Sequence, residues 1–205
     1  MKNIWQEIIN LTNNSNRDIE IIIGDITIGQ EECEKLNIPS DSVLYSVVSN
    51  SNGLIINHWI RIWGQDSSTN YGVCHYNRNI KFDKYISGLF VVAGDILGGL
   101  FAININRFDG NNLIWYFAPD SLEWECLNMK YNEFLAWCFQ GNIDDFYSTM
   151  RWENWKDDVM DINMNKAILI YPFLWAKECN IEKASRKIVD LDEIIELNFE
   201  YSGQI

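Results

Sequence analysis

The sequence predicts an α+β fold: a central antiparallel, strongly bent sheet, a meander around residues 54–117, with helices packed on one side. Three observations predict it. Strand-like apolar runs follow one another between residues 54 and 117, parted by glycine and asparagine of hairpin type. After Pro119 the apolar spacing becomes helical. The composition, 47% hydrophobic with nine Trp, nine Tyr and ten Phe in 205 residues, supplies a sizeable core without disulfides or metals. That length allows one or two domains. No repeat, low-complexity linker or Pro/Gly/Ser stretch divides the chain, so residues 1–205 read as a single domain.

Each element follows from local chemistry. Ile4, Trp5, Ile8, Ile9 and Thr12 share one helical face over residues 3–12. "DIEIII", residues 18–23, has the β-branched character of a short strand. A short helix over 29–36 stops before Pro39. Ser40 caps a further helix through about Ser49, with a strand over "VLYSVV" as the alternative, and Gly53 follows as a left-handed turn. In "LIINHWIRIWG" the set Leu54, Ile56, His58, Ile60, Ile62 alternates with a mixed set, which reads as one strand over 54–63. Residues 64–82 are polar and read as a loop. "LFVVAGD", "GLFAIN" and "LIWYFA" are then three strands in succession, turned by Gly98-Gly99 and by "FDGNN". Tyr131, Phe134, Leu135 and Cys138 mark a helix ended by Gly141, and Asn142 caps another through about Met150. "RWENWKDDVMDI" is a third short helix. "AILIYPFLW" holds a strand ended by Pro172, and "RKIVDLDEIIELN" a last strand and a helix capped by Asp190.

Composition excludes several functions. A net charge of -13 disfavours nucleic acid and anionic membrane surfaces, which need clustered Lys and Arg. It suits a basic protein partner, or serves only to keep a cytoplasmic protein soluble. Five cysteines without CxxC spacing fit neither a disulfide framework nor a zinc ribbon. Residues 89–105, the longest apolar run, are too short and too interrupted to span a bilayer. P-loop, GxGxxG, HExxH and GxSxG patterns are absent, and with two histidines there is no multi-histidine metal site. The expectation is no catalytic residue, no metal and no cofactor.

A few residues stand out as candidates for binding. Asp120 and Glu123, in "PDSLEWE", are carboxylates near in sequence, suited to acid–base work or to turn capping. Arg151, Trp152 and Trp155, in "RWENW", combine a guanidinium with aromatic planes, as binding surfaces and partly buried networks both do. Arg61, inside an apolar strand beside Trp59, needs a partner if buried, and Asp95 at a strand end is a candidate for it. His58 reads as a core histidine on the face of Ile56 and Ile60, with metal ligation as the alternative.

Five stretches, "NGLIINHWIRIWG", "VVAGDILGGLFAIN", "IWYFAPDSLEWECLNMKYNEFLAW", "GNIDDFYSTMRWENW" and "YPFLWAKE…ASRKIV", together resemble the bacterial family called domain of unknown function 2625. The resemblance covers roughly residues 53–190, leaving 1–52 as N-terminal helices and a short strand. The chain departs from the family at Asn57-His58-Trp59, where members carry aspartate, histidine and glycine before the tryptophan. It departs again at Ile105-Asn106, where members carry a glycine pair. The family has no assigned activity. The strand–glycine–strand core also resembles, more distantly, the SUKH superfamily, many of whose bacterial members are immunity proteins that neutralise toxins. The resemblance implies a non-enzymatic protein-binding domain of immunity type, with a toxin domain as partner, and the acidic charge suits a basic one. Two other readings stand beside it: a small-molecule enzyme using Asp95, Asp120 and Glu123 with Arg61 or Arg151, and a self-associating homodimer.

Overall fold

A computed structural model describes residues 4–203. The chain begins with α1 (Ile4–Asn13), β1 (Ile19–Ile23), α2 (Ile26–Lys35) and α3 (Val43–Asn50). Then come β2 (Ser51–Ile56), β3 (Ile60–Trp63), α4 (Val73–Asn77) and α5 (Ile80–Ile86). The central strands are β4 (Leu89–Asp95), β5 (Leu100–Asn104), β6 (Ile114–Phe117) and β7 (Trp124–Cys126). The C-terminal part holds α6 (Tyr131–Gln140), α7 (Ile143–Phe146), α8 (Trp155–Val159), β8 (Lys166–Tyr171), β9 (Ser185–Asp190) and α9 (Leu191–Ser202).

Strands β1 to β7 form one antiparallel sheet in sequence order, and β8 with β9 forms a separate two-stranded ribbon. The fold is therefore α+β around an antiparallel meander. Helices cover both faces of this sheet rather than one. Leu100 pairs with Phe117 and Phe101 with Tyr116, so the two pairs point to opposite faces. On one face Phe101 lies 4.8 Å from Phe134 of α6. On the other Phe117 lies 4.8 Å from Phe199 of α9. The aromatic supply is large enough to cover the sheet twice, which explains why so many strand positions are buried on both sides.

Several local expectations need correction. Residues 54–63 are a hairpin, not one strand. Asn57 and His58 both take positive φ (50° and 54°), and the Trp59 amide donates to the Ile56 carbonyl at 2.9 Å. Asparagine and histidine tolerate this conformation better than most residues. Apolar Trp59 carries the alternating pattern straight across the turn. His58 is thus at a hairpin tip, its Nε2 3.0 Å from Asp18, and not on a core face. The "loop" 64–82 contains α4 and the start of α5, the latter capped by the Asn79 side chain, which accepts from the Lys81 amide. The helix-capping serine is Ser42, not Ser40, and "VLYSVV" is helical. Helix α2 starts earlier than expected because Asp25 accepts from the Thr27 and Ile28 amides. Pro119 does not end the sheet, since β7 still pairs with β6. The two helices expected through Met150 and across 151–162 are shorter, ending at Phe146 and confined to Trp155–Val159. The turn after Asn104 closes without the family's glycine pair. The buried Asn104 side chain accepts from the Arg107 and Phe108 amides and donates to the Phe108 carbonyl.

Candidate functional site

Gly98 and Gly99 bend the chain from β4 into β5, and Asp95 holds the bend. Gly98 sits at φ +84°, a conformation other residues resist. A Cβ on Gly99 would fall 2.2 Å from Asp95 Oδ2 and 2.6 Å from the Tyr116 hydroxyl, so only glycine lets these groups meet. Asp95 is completely buried. Its Oδ1 accepts from the amides of Leu97 (2.9 Å) and Gly99 (3.0 Å). Its Oδ2 accepts from the hydroxyls of Tyr116 (2.7 Å) and Tyr147 (3.1 Å). Burial pushes the carboxyl above its ordinary range, while the four hydrogen bonds pull part of that shift back. The same burial and the nearby Asp95 charge push both tyrosines well up, so they stay protonated donors. Asp95 has no acceptor capacity pointing outward; it ties β4, β5, β6 and the end of α7 together.

Tyr147 connects this clasp to the aromatic group predicted from "RWENW". The Arg151 guanidinium lies 4.0 Å from the Trp155 ring, 4.8 Å from Trp59 and 5.3 Å from Tyr147. Its Nη1 donates to Asp144 at 2.6 Å. Arg17 adds a second ion pair to Asp144 at 3.5 Å and donates to the Gly141 carbonyl. Burial would raise the Asp144 carboxyl, but the Arg151 hydrogen bond and the charges of Arg151 and Arg17 reverse this and hold it low. Burial lowers Arg151, opposed by Asp144. Trp152 is buried as well, its Nε1 donating to Asp158 at 2.6 Å with the Arg186 guanidinium 4.3 Å from its ring. Five of the eight predicted residues, Trp59, Asp95, Arg151, Trp152 and Trp155, therefore form one connected network, in which Trp155 is half-exposed.

The other three are elsewhere. Arg61 is fully buried, but Ile60 pairs with Asp95 and Arg61 with Gly94, so Arg61 and Asp95 face opposite sides of the sheet. Its guanidinium reaches only the Asn163 carbonyl, at 3.3 Å, and its Nε and Nη1 have no protein partner among the described residues. Burial lowers it to about 10. Asp120 is half-buried in the β6–β7 turn, where burial raises it and the turn amides of Asp120 and Ser121 pull it back. Glu123 is exposed. Among the described residues, no hydrogen bond or ion pair joins either to Asp95 or to an arginine.

One cluster escaped the sequence. Glu32, Asp66 and Cys74 bring their possible ligand atoms within 4.8 Å of one another. Residues so far apart in the chain carry no spacing signal. The Glu32 carboxylate accepts from the Asp66 amide at 3.0 Å, and Asp66 accepts from Gly72 (2.6 Å) and His75 (3.2 Å) amides. Burial, with the Glu32 and Asp66 charges, pushes the Cys74 thiol up to about 12. A protonated thiol is an unreactive nucleophile, and both carboxylates are engaged by backbone amides. The arrangement staples α2 to the segment that enters α4.

A family model described as "Protein of unknown function DUF2625" matches residues 2–194. Two relatives match at 29% identity. One is the "Putative uncharacterized protein YbfG" of Escherichia coli (strain K12), aligned over 96% of this chain and 90% of the relative. The other is an "Uncharacterized protein" of Haemophilus influenzae, aligned over 95% of this chain and 88% of the relative. No solved structure matches significantly.

Proposed function

From the premise that the chain belongs to the DUF2625 family of proteins of unknown function, we propose that it is a non-enzymatic, cytoplasmic domain that binds a basic protein partner, as an immunity protein binds a toxin domain. The observation that carries this is the α7–α8 face. Between residues 142 and 161, Asp144, Asp145, Glu153, Asp157, Asp158 and Asp161 are exposed against one exposed cation of the segment, Lys156. Asp144 is paired with Arg17 and Arg151, and the exposed Lys187 borders Asp158. In the same segment Trp155 is partly exposed, its ring 4.0 Å from the Arg151 guanidinium. A rigid aromatic anchor inside an acidic rim steers and seats a basic surface. An active site built from Asp95, Asp120, Glu123 and the arginines has weaker support, because Arg61 and Asp95 face opposite sides of the sheet and Glu123 is exposed. No helix among the described residues is long and apolar enough to cross a membrane.

Affinity capture from the native host at low and at raised salt tests the reading. The wild-type chain should retain a basic protein at low salt and release it as salt screens the charges. The variant Asp157→Lys/Asp161→Lys, altered only at exposed positions, should lose it. Absence of any retained protein at low salt, or retention indifferent to charge reversal, overturns the proposal. Co-expression with toxin domains encoded beside the gene then reads neutralisation directly.

A further inference from the structure

We propose that a cavity between α3, α6 and the ends of β4 and β5 binds an amphipathic anion, an alkyl chain carrying a carboxylate. This site is separate from the Trp155 face and does not depend on it. The cavity has a volume of about 380 Å³, within the range of small-molecule sites. Its walls are apolar: Leu36, Ile38, Val43, Phe90, Ile103 and Ile105. Phe90 and Ile103 are cross-strand partners, so the floor is fixed by the sheet. Ile105, 48% exposed, stands at the mouth.

The polar end is positive. Two helices start at this cavity: Val43 and Leu44 open α3, and Tyr131 and Asn132 open α6. The Ser42 hydroxyl accepts from the Tyr45 amide and the Glu133 carboxylate from the Lys130 amide, at 3.0 Å and 2.7 Å. Among the described residues, no acceptor is shown for the amides of Val43, Leu44, Tyr131 and Asn132. The α3 dipole thus favours a negative charge there, whereas the start of α6 already carries the Glu133 carboxylate. Lys130 is the one charged residue of the lining, with the Glu133 carboxylate behind it on the Lys130 amide. On a chain of net charge -13, a cavity whose one charged lining residue is a lysine stands out. Tyr131 is 7% exposed and forms part of the wall. Apolar walls behind a positive mouth match a carboxylate headgroup with its chain directed inward. A second copy would set two chains of net charge -13 against each other, which disfavours that occupant.

Titration calorimetry of the full chain with dodecanoate, below its micelle concentration, tests the site. One saturable equivalent should bind, and dodecyltrimethylammonium, with the same tail and the opposite head, should bind about tenfold more weakly. Lys130→Glu should weaken dodecanoate about tenfold, and Ile105→Trp, which fills the mouth, should abolish binding. Both alter exposed residues, and circular dichroism checks that both variants are folded. The proposal is overturned by non-saturable uptake, by equal affinity for the two headgroups, or by wild-type binding in either variant. A concentration-dependent dimer broken by Ile105→Trp, without dodecanoate binding, assigns the cavity to a second copy and overturns it too.

Discussion

Replacing Asp95 with alanine removes the acceptor from four buried donors at once: the Leu97 and Gly99 amides and the Tyr116 and Tyr147 hydroxyls. Each buried donor left unpaired costs about 1–3 kcal/mol. Some of that is recovered if water enters the space the carboxylate leaves, so the expected loss is about 4 kcal/mol, a large share of an ordinary domain's stability. Asp95→Asn is the informative comparison. Its amide oxygen still accepts from both backbone amides, and only the tyrosine hydroxyls must turn to act as acceptors. That variant should lose about 1 kcal/mol. Equilibrium urea unfolding, followed by tryptophan fluorescence and far-ultraviolet circular dichroism together, measures both. A double-mutant cycle with Tyr116→Phe should return a coupling above about 0.5 kcal/mol, since the two groups share a hydrogen bond. If Asp95→Ala unfolds within 1 kcal/mol of wild type at unchanged urea dependence, the carboxylate is not the clasp described.

Other outcomes follow from the same geometry. Gly99→Ala places a methyl 2.2 Å from Asp95 Oδ2 and should destabilise by about 1–3 kcal/mol; a loss within measurement error in the same urea titration contradicts the close approach. The Asp95 carboxyl is raised in the folded state, so the folded chain holds that proton more tightly than the unfolded chain. Its contribution is therefore largest below the ordinary carboxylate value of about 4 and declines as pH rises through the folded value. Measured against Asp95→Asn, wild-type stability should fall as pH rises through that window, and an opposite slope would refute the direction. Asp144 is held low, so its contribution is present above the ordinary carboxylate value and disappears as pH falls through the folded one. Asp144→Asn should flatten that acid limb of the unfolding curve. Arg151→Lys keeps the charge but loses the plane that lies 4.0 Å from Trp155, and should cost about 1 kcal/mol in thermal or urea unfolding. A lysine variant as stable as wild type means that charge alone suffices there.

Where the sequence was legible, the signal was local. Helices α1 and α6 show their apolar spacing directly, and "LFVVAGD", "GLFAIN" and "LIWYFA" coincide with β4, β5 and β6 to within a residue. The family was also readable from blocks of residues, and its model covers almost the whole chain. The hairpin at Asn57-His58 was hidden because neither residue is glycine and Trp59 continues the alternation. Helices α4 and α5 were hidden by the polar residues around them, and they are held by caps and by packing, such as Tyr76 stacked 3.8 Å from Trp63.

The sequence by itself determined the α+β class, the meander, the tight turn at Gly98-Gly99 and the aromatic character of "RWENW", because each depends on neighbours within a few residues. Tertiary structure alone decided what those features do. It turned Asp95 inward to four donors, placed Arg61 on the opposite face of the sheet, and enclosed Arg151 among Trp59, Tyr147 and Trp155. It also brought the starts of α3 and α6 to one apolar cavity. Side-chain parity across paired strands and the meeting of distant helix ends depend on register and packing, which no short stretch of sequence contains.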